Sequence, residues 1–433
     1  MSGAVSGAAD DLLAFVDGSP TPFHAVATVA DLLVPAGFTA LSPDDDWSSA
    51  DASGPAFVVR DGSLVAWGAS PTGAPAPSAP LRLIGAHTDS PNLRIRPRPD
   101  RGIAGFRQLA VEVYGGALLN SWLDRDLGLA GRVAVLSGDG IEHVPFRTDG
   151  AVLRVPQLAI HLDREISERG LLLNKQQHLS PVWGLGDPTE GDFRDWLAGL
   201  VGVAPAVVLG WEAMCFDTQP GARLGVAGEL LAAARLDNLC SCFGAVSALL
   251  ATGQEGAGTP LVVLYDHEEV GSTTATGAAG TWLAQVLERR VLALGGGRAD
   301  LLRSLASSML LSADMAHATH PNYPERHEPG HWVRTGGGPA LKHNVNARYA
   351  TDSRGAAVFR TAAAAAGIPV QDYSHRGDLL CGSTIGPLVA AGLALDTVDV
   401  GMPQLSMHSA RELMAAADVD LMLGAFTAWL SVS

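Results

Sequence analysis

The spacing of apolar positions changes several times along this chain, and each change marks an element. Residues 10–17 and 24–36 have helical character, and Ser19-Pro20-Thr21-Pro22 break them apart. Residues 57–60 and 63–67 flank Asp61-Gly62, a dipeptide suited to a tight hairpin turn. Residues 69–80, rich in Pro, Ala, Ser and Gly, read as a loop. A short apolar strand over 81–86 follows, ending in His87-Thr88-Asp89-Ser90.

From about Pro97 the texture shifts. Residues 107–230 combine apolar alternation with many glycines, and helical signal is sparse. Strand candidates lie at 109–114 and 131–136. This reads as a β-rich insertion over 97–232, entered and left by a main domain of 1–96 and 233–433. Beyond it the chain predicts helices at 237–251, 281–293 and 356–366, and a last helix from about Ala410. Strands are expected at 261–266, 309–313 and 397–400, with a hairpin-like region at 339–350. Alternating strands and helices on both sides of the insertion predict an α/β fold, with a mainly parallel central sheet flanked by helices. Ligands of such a sheet gather beyond the carboxyl ends of its strands.

Composition narrows the classes. The chain has 433 residues, 47% hydrophobic and 17% charged, enough for a large core and about two domains. Its formal net charge of −16, from 29 basic and 45 acidic residues, argues against nucleic acid or an anionic membrane as partner. The start lacks a basic, apolar leader, and no run of about 18 apolar residues occurs, so a soluble cytoplasmic protein is expected. Cys215, Cys240, Cys242 and Cys381 have neither zinc-finger nor disulfide-framework spacing and read as free thiols.

The candidate chemistry lies at strand ends. His87, Glu269, Asp314 and His408 each follow a predicted strand, closely or after a short loop. Asp237 opens a predicted helix, where the positive dipole end tolerates an anion. Adjacent Glu268 and Glu269 at the mouth of a buried strand repel each other, and a cation relieves that repulsion. Five His and carboxylate side chains from distant segments suit two divalent ions about 3.5–4 Å apart, zinc first, with manganese or cobalt also compatible. Asp89, two residues beyond His87, faces the same way in extended chain and is placed to hold the far nitrogen of that imidazole.

Six segments then carry a resemblance: GAHTDSPNLRIRP (85–97), RLDNLCS (235–241), DHEEVGS (266–272), SADMAHATHPNY (312–323), CGSTIGP (381–387) and MPQLSMHS (402–409). In this order, together with SPTPFHAV (19–26), they resemble the signature segments of the aspartyl aminopeptidase family, cocatalytic dizinc exopeptidases of zinc-exopeptidase-like fold. The resemblance implies that Asp237 bridges two metals, that His87 and Asp314 complete one site, and that Glu269 and His408 complete the other. It makes Glu268 the general base, and Asp89, as the holder of the His87 imidazole, is counted with it among the catalytic residues. It implies that the insertion is an oligomerisation domain of a homo-oligomer, dimer-based and perhaps of twelve subunits. The segment QLAIHLDREI (157–166) resembles one whose histidine, here His161, reaches a neighbouring subunit's active site. His317, Lys342 and Tyr349 match positions that contact the peptide substrate, with Lys342 read as a flexible ammonium for an acidic side chain. The expected activity is removal of N-terminal residues, Asp or Glu preferred. An amidohydrolase acting on small amino-acid derivatives is the second reading. A non-catalytic assembly or cargo-binding protein is the third, and it gives no reason to keep Glu268.

Overall fold

The computed structural model describes residues 7–70, 75–252 and 258–431; the middle of the expected loop at 69–80 lies outside the described residues. Chain contacts divide it into two compact units. The first comprises residues 1–89, 221–407 and 412–433, and the second 90–220 with the short return 408–411.

The first unit is built on a nine-stranded sheet in the order Thr39–Leu41, Ala56–Arg60, Ser63–Trp67, Thr259–Tyr265, Leu81–His87, Met309–Ala313, Asp396–Gly401, Ala340–His343, Gln371–Ser374. The middle four, from Thr259–Tyr265 to Asp396–Gly401, run parallel. They are buried on both faces, so their sequences are apolar runs rather than alternations. Ile84, Val262, Leu264 and Leu311 face one core with the helices Ala8–Gly18, Leu236–Ala251 and Ala417–Leu430. Leu83, Leu261, Val263 and Leu310 face a second core with the helices Trp282–Ala293, Arg298–Ala306 and Ile385–Leu393. The fold is thus the expected mixed α/β arrangement.

Several local expectations are corrected. Residues 339–350 form no hairpin: Ala340–His343 pairs in parallel with Gln371–Ser374 and antiparallel with Asp396–Gly401, both far along the chain. The last helix starts at Ala417, because Glu412–Ala415 is a strand. That strand belongs to a second sheet of the first unit, ordered Ala222–Leu224, Leu230–Ala233, Glu412–Ala415, Pro403–Leu405, Ala316–His317. The hairpin at Asp61-Gly62 is present, with Arg60 opposite Ser63.

The second unit holds a six-stranded antiparallel sheet, ordered Gly140–Arg147, Leu127–Ser137, Val208–Asp217, Asn92–Ile103, Phe106–Tyr114, Val182–Leu185. Its core includes a ring cluster in which Phe193 lies 5.2 Å from Trp211, 5.7 Å from Trp196 and 6.2 Å from Trp183. Phe193 is fully buried. Phe193→Ala is expected to cost about 3–5 kcal/mol, as a large ring lost from a packed core. Each unit has its own core, so hydrogen exchange should quicken across the second unit's sheet and stay unchanged in the strands Leu81–His87 and Thr259–Tyr265.

Candidate active site

The parallel register sets the geometry. Tyr265 lies opposite His87, and Ser312 lies opposite Gly85, so three neighbouring strands end at one edge of the sheet. His87 terminates its strand; Asp266 and Asp314 directly follow theirs. The amide of Thr88 donates to the Tyr265 carbonyl (2.8 Å), and that of Asp266 to the Ser63 hydroxyl (2.8 Å), fastening the edge. A Cβ on Gly62 would lie 2.4 Å from the Asp266 carboxylate and 2.6 Å from Pro22 Cβ, so a larger residue here would displace one of them.

Beyond Asp266 the chain turns through His267 in the left-handed region (φ 67°), followed by one short helical turn, Glu268–Val270. That turn aims the amides of Glu268 and Glu269 at Asp89, whose two carboxylate oxygens accept them at 3.0 and 3.1 Å. The expected role of Asp89 is therefore refined. Its carboxylate orients the Glu268-Glu269 pair and stands 3.4 Å from His87 Nδ1, whereas its main-chain carbonyl lies closer to that nitrogen, at 2.9 Å.

His87, Asp237 and Asp314 offer ligand atoms all within 4.8 Å of one another, and so do His87, Glu268 and Glu269. Asp237 and Glu269 also come within 4.8 Å. Asp237 does not begin a regular helix as expected. Its dihedrals (φ −83°, ψ 103°) are extended, which swings its carboxylate toward the strand ends; Oδ1 is 3.5 Å from His87 Nε2. Its main-chain amide donates to Glu412 Oε2 at 2.9 Å. Asn238 donates to the Ala313 carbonyl (2.8 Å), and the Cys242 thiol to the His87 carbonyl (3.0 Å). Cys242, Cys240 and Cys215 are buried free thiols, and burial pushes Cys242 up to about 12.

Charge explains why this cluster calls for cations. Burial, against the pull of His87 and with the repulsion of Asp314, Asp89 and Asp237, pushes Glu268 up to about 8. Burial, opposed by Lys342, raises Asp314 to about 6. Burial would lower His87, but the carboxylates of Asp237 and Asp89 outweigh it and hold the imidazole well above its ordinary value. An imidazole among carboxylates within ligand reach is a donor set that fits zinc, manganese or cobalt.

Three expected substrate contacts adjoin the cluster. Lys342, expected as a flexible ammonium, is only 3% exposed; its Nζ lies 3.9 Å from Asp314 Oδ1 and 5.2 Å from the Tyr349 ring centroid. Tyr349 is held in place because the amide of Ala350 donates to buried Asp399, which also accepts the Thr384 hydroxyl at 2.6 Å. The His317 ring is tilted against those of Tyr373 and His375, 6.1 and 6.5 Å away between centroids, and burial, reinforced by Lys342, lowers it to about 4. Two expected residues belong to the second unit. His161 is exposed in a turn. His408 lies in the return 408–411, where its Nδ1 is 3.2 Å from the Gly116 carbonyl and its own carbonyl accepts the Leu118 amide. Glu412 and Asn238 were not singled out from the sequence, and Cys242 only as a free thiol; only their nearness to MHS and LDN could have flagged a place at the site.

The whole chain is similar to known proteins. The family profile described as Aminopeptidase I zinc metalloprotease (M18) matches residues 15–430. A protein of Mycobacterium bovis named "Probable M18 family aminopeptidase 2" is 50% identical over 430 residues, 98% of each chain. One of Streptomyces coelicolor with the same name is 50% identical over 428 residues, again 98% of each. Among solved structures, the chain is similar to Ape4 in its complex with Nbr1 (TM-score 0.93, 34% identity, 98% of this chain and 85% of that one). It is also similar to the mApe1 dodecamer of S. cerevisiae (TM-score 0.83, 29% identity, 98% and 97%). Among the described residues, no helix is long and apolar enough to cross a membrane. The chain belongs to the M18 family of aminopeptidases and is a metalloaminopeptidase, a hydrolase acting on peptide bonds.

Proposed function

We propose that this chain removes N-terminal residues from peptides, with Asp or Glu preferred, at a pair of divalent ions with Glu268 as the general base. The observation that carries the reading is the carboxylate–imidazole cluster at the sheet edge, where Asp237 is within ligand reach of His87 and Asp314 and also of Glu269. Asp237 is assigned as the shared ligand, His87 and Asp314 as its partners in one site, and Glu269 in the other. His408 is assigned as the remaining ligand, on the resemblance of MPQLSMHS. Zinc is the first choice, as in the family's description, with manganese or cobalt next.

When bound, such a pair would polarise the scissile carbonyl and acidify the attacking water. The chain's own groups do the rest. Glu268, not needed as a ligand, takes the proton from water and returns it to the leaving amine. Asp89 fixes the Glu268 main chain through its amide, so the base cannot drift. His317, neutral at pH 7, can orient substrate through one ring nitrogen. Lys342 supplies the positive charge that would meet an acidic side chain lying against Tyr349, sharing its ammonium with Asp314.

We also infer a homo-oligomer through the second unit, dimer-based and with twelve subunits as the form the resemblance suggests. Leu158, Ile160 and Leu162, 56%, 53% and 74% exposed, flank His161 and would be covered by a second copy. His161 would then reach the partner's substrate and donate to the developing oxyanion.

Glu268→Gln should lower kcat about 10²–10⁴-fold, the contribution of a general base, with metal content near wild type. Turnover at the wild-type level would reject the assignment. Lys342→Met should lower kcat/KM for Asp and Glu anilides about 10-fold or more beyond its effect on a Leu anilide, the worth of one charge-assisted contact. An equal loss on both would place Lys342 in the service of Asp314 alone.

A further inference from the structure

We propose that Glu412 is a positioning residue for the metal centre: a buried carboxylate that holds the main chain of Asp237 and adds its negative charge behind that ligand. The inference rests on the assignment of Asp237 as the shared ligand above.

The geometry points to it in three ways. First, Glu412 and Asp237 are both almost fully buried, and Glu412 Oε2 accepts the Asp237 amide at 2.9 Å. Extended dihedrals at Asp237 free this amide from the helical ladder, so the Glu412 contact fixes the peptide that carries the ligand. Second, the small sheet builds the contact into the fold. Glu412 lies opposite Ala233 on the strand that leads directly into Arg235 and Asp237. Leu413 and Met414 in turn pair with Leu405 and Gln404, and the Gln404 amide nitrogen stands 3.4 Å from Glu412 Oε1. The same sheet carries His317 on its edge strand. Third, a buried carboxylate is costly unless positive charge lies near. Two amides hold Glu412, and the cluster on the far side of Asp237 is where divalent ions would sit. Glu412 thus stands one peptide behind the ligand, as outer groups stand behind ligands in metal sites generally.

The charge and the hydrogen bond can be separated. Glu412→Gln keeps an oxygen for the Asp237 amide and deletes the charge; Glu412→Ala deletes both. Zinc affinity is read by competition with a chelating dye, and the fold by circular dichroism without added metal. The expected result is a native fold with about 10-fold weaker zinc binding in Glu412→Gln, and a larger loss in Glu412→Ala. If Glu412→Gln does not fold, Glu412→Asp carries the test, since it keeps the charge but draws the oxygens back; weakened zinc binding is again expected. A wild-type zinc curve in whichever variant folds overturns the proposal. His87→Ala, measured alongside, guards the underlying assignment: if it too binds zinc as wild type, the site itself is misassigned, whereas its loss with Glu412→Gln unchanged rejects Glu412 alone.

Discussion

Like charges held together out of water are the constraint on which this molecule depends. Asp89, Asp237 and Asp314 are buried, with Glu268 and Glu269 half-buried beside them, at the carboxyl edge of parallel strands. Carboxylates so crowded either take up protons or gather cations. The protein answers in part with its own groups: His87 is pulled toward its protonated form, and Lys342 is drawn under Asp314. These do not relieve the cluster, since Glu268 still stands near 8. On the proposed reading, divalent ions would complete the balance, and hydrolysis would draw on the same charges.

The fold makes the crowding unavoidable. Four parallel strands buried on both faces end in register, and three of them lead into an acid or an imidazole: His87, Asp266 and Asp314. The turns are fastened by contacts that leave little slack: Thr88 to Tyr265, Asp266 to Ser63, Asp89 to the amides of Glu268 and Glu269, and Glu412 to Asp237. In these contacts Glu268, Glu269 and Asp237 are gripped by their main-chain amides and not by their carboxylate oxygens. That division of labour suits a site that must hold ligands to within a fraction of an ångström.

Much of this was legible in the residues because the signals are local. The strands at 81–86, 261–266 and 309–313 are apolar runs, and the polar groups that end them read as chemistry at a sheet edge. Asp61-Gly62 dictates its own turn. What escaped depends on partners far along the chain. Residues 340–343 look like half of a hairpin, yet they pair with 371–374 and 396–401. The helix Ile385–Leu393 is apolar with two glycines and a proline, and gives no helical period. Glu412 reads as the start of a helix until the small sheet claims it, and Lys342 reads as a flexible ammonium until Tyr349 and Asp314 enclose it. In each case tertiary pairing overrode the local pattern.

The central claim is that two ions share Asp237, and anomalous diffraction from zinc-loaded crystals at the zinc edge tests it directly. The account predicts two peaks per chain about 3.5–4 Å apart, one beside His87 and Asp314 and the other beside Glu269, with the Asp237 carboxylate between them. A single peak, or peaks remote from His87 and Asp314, would contradict it.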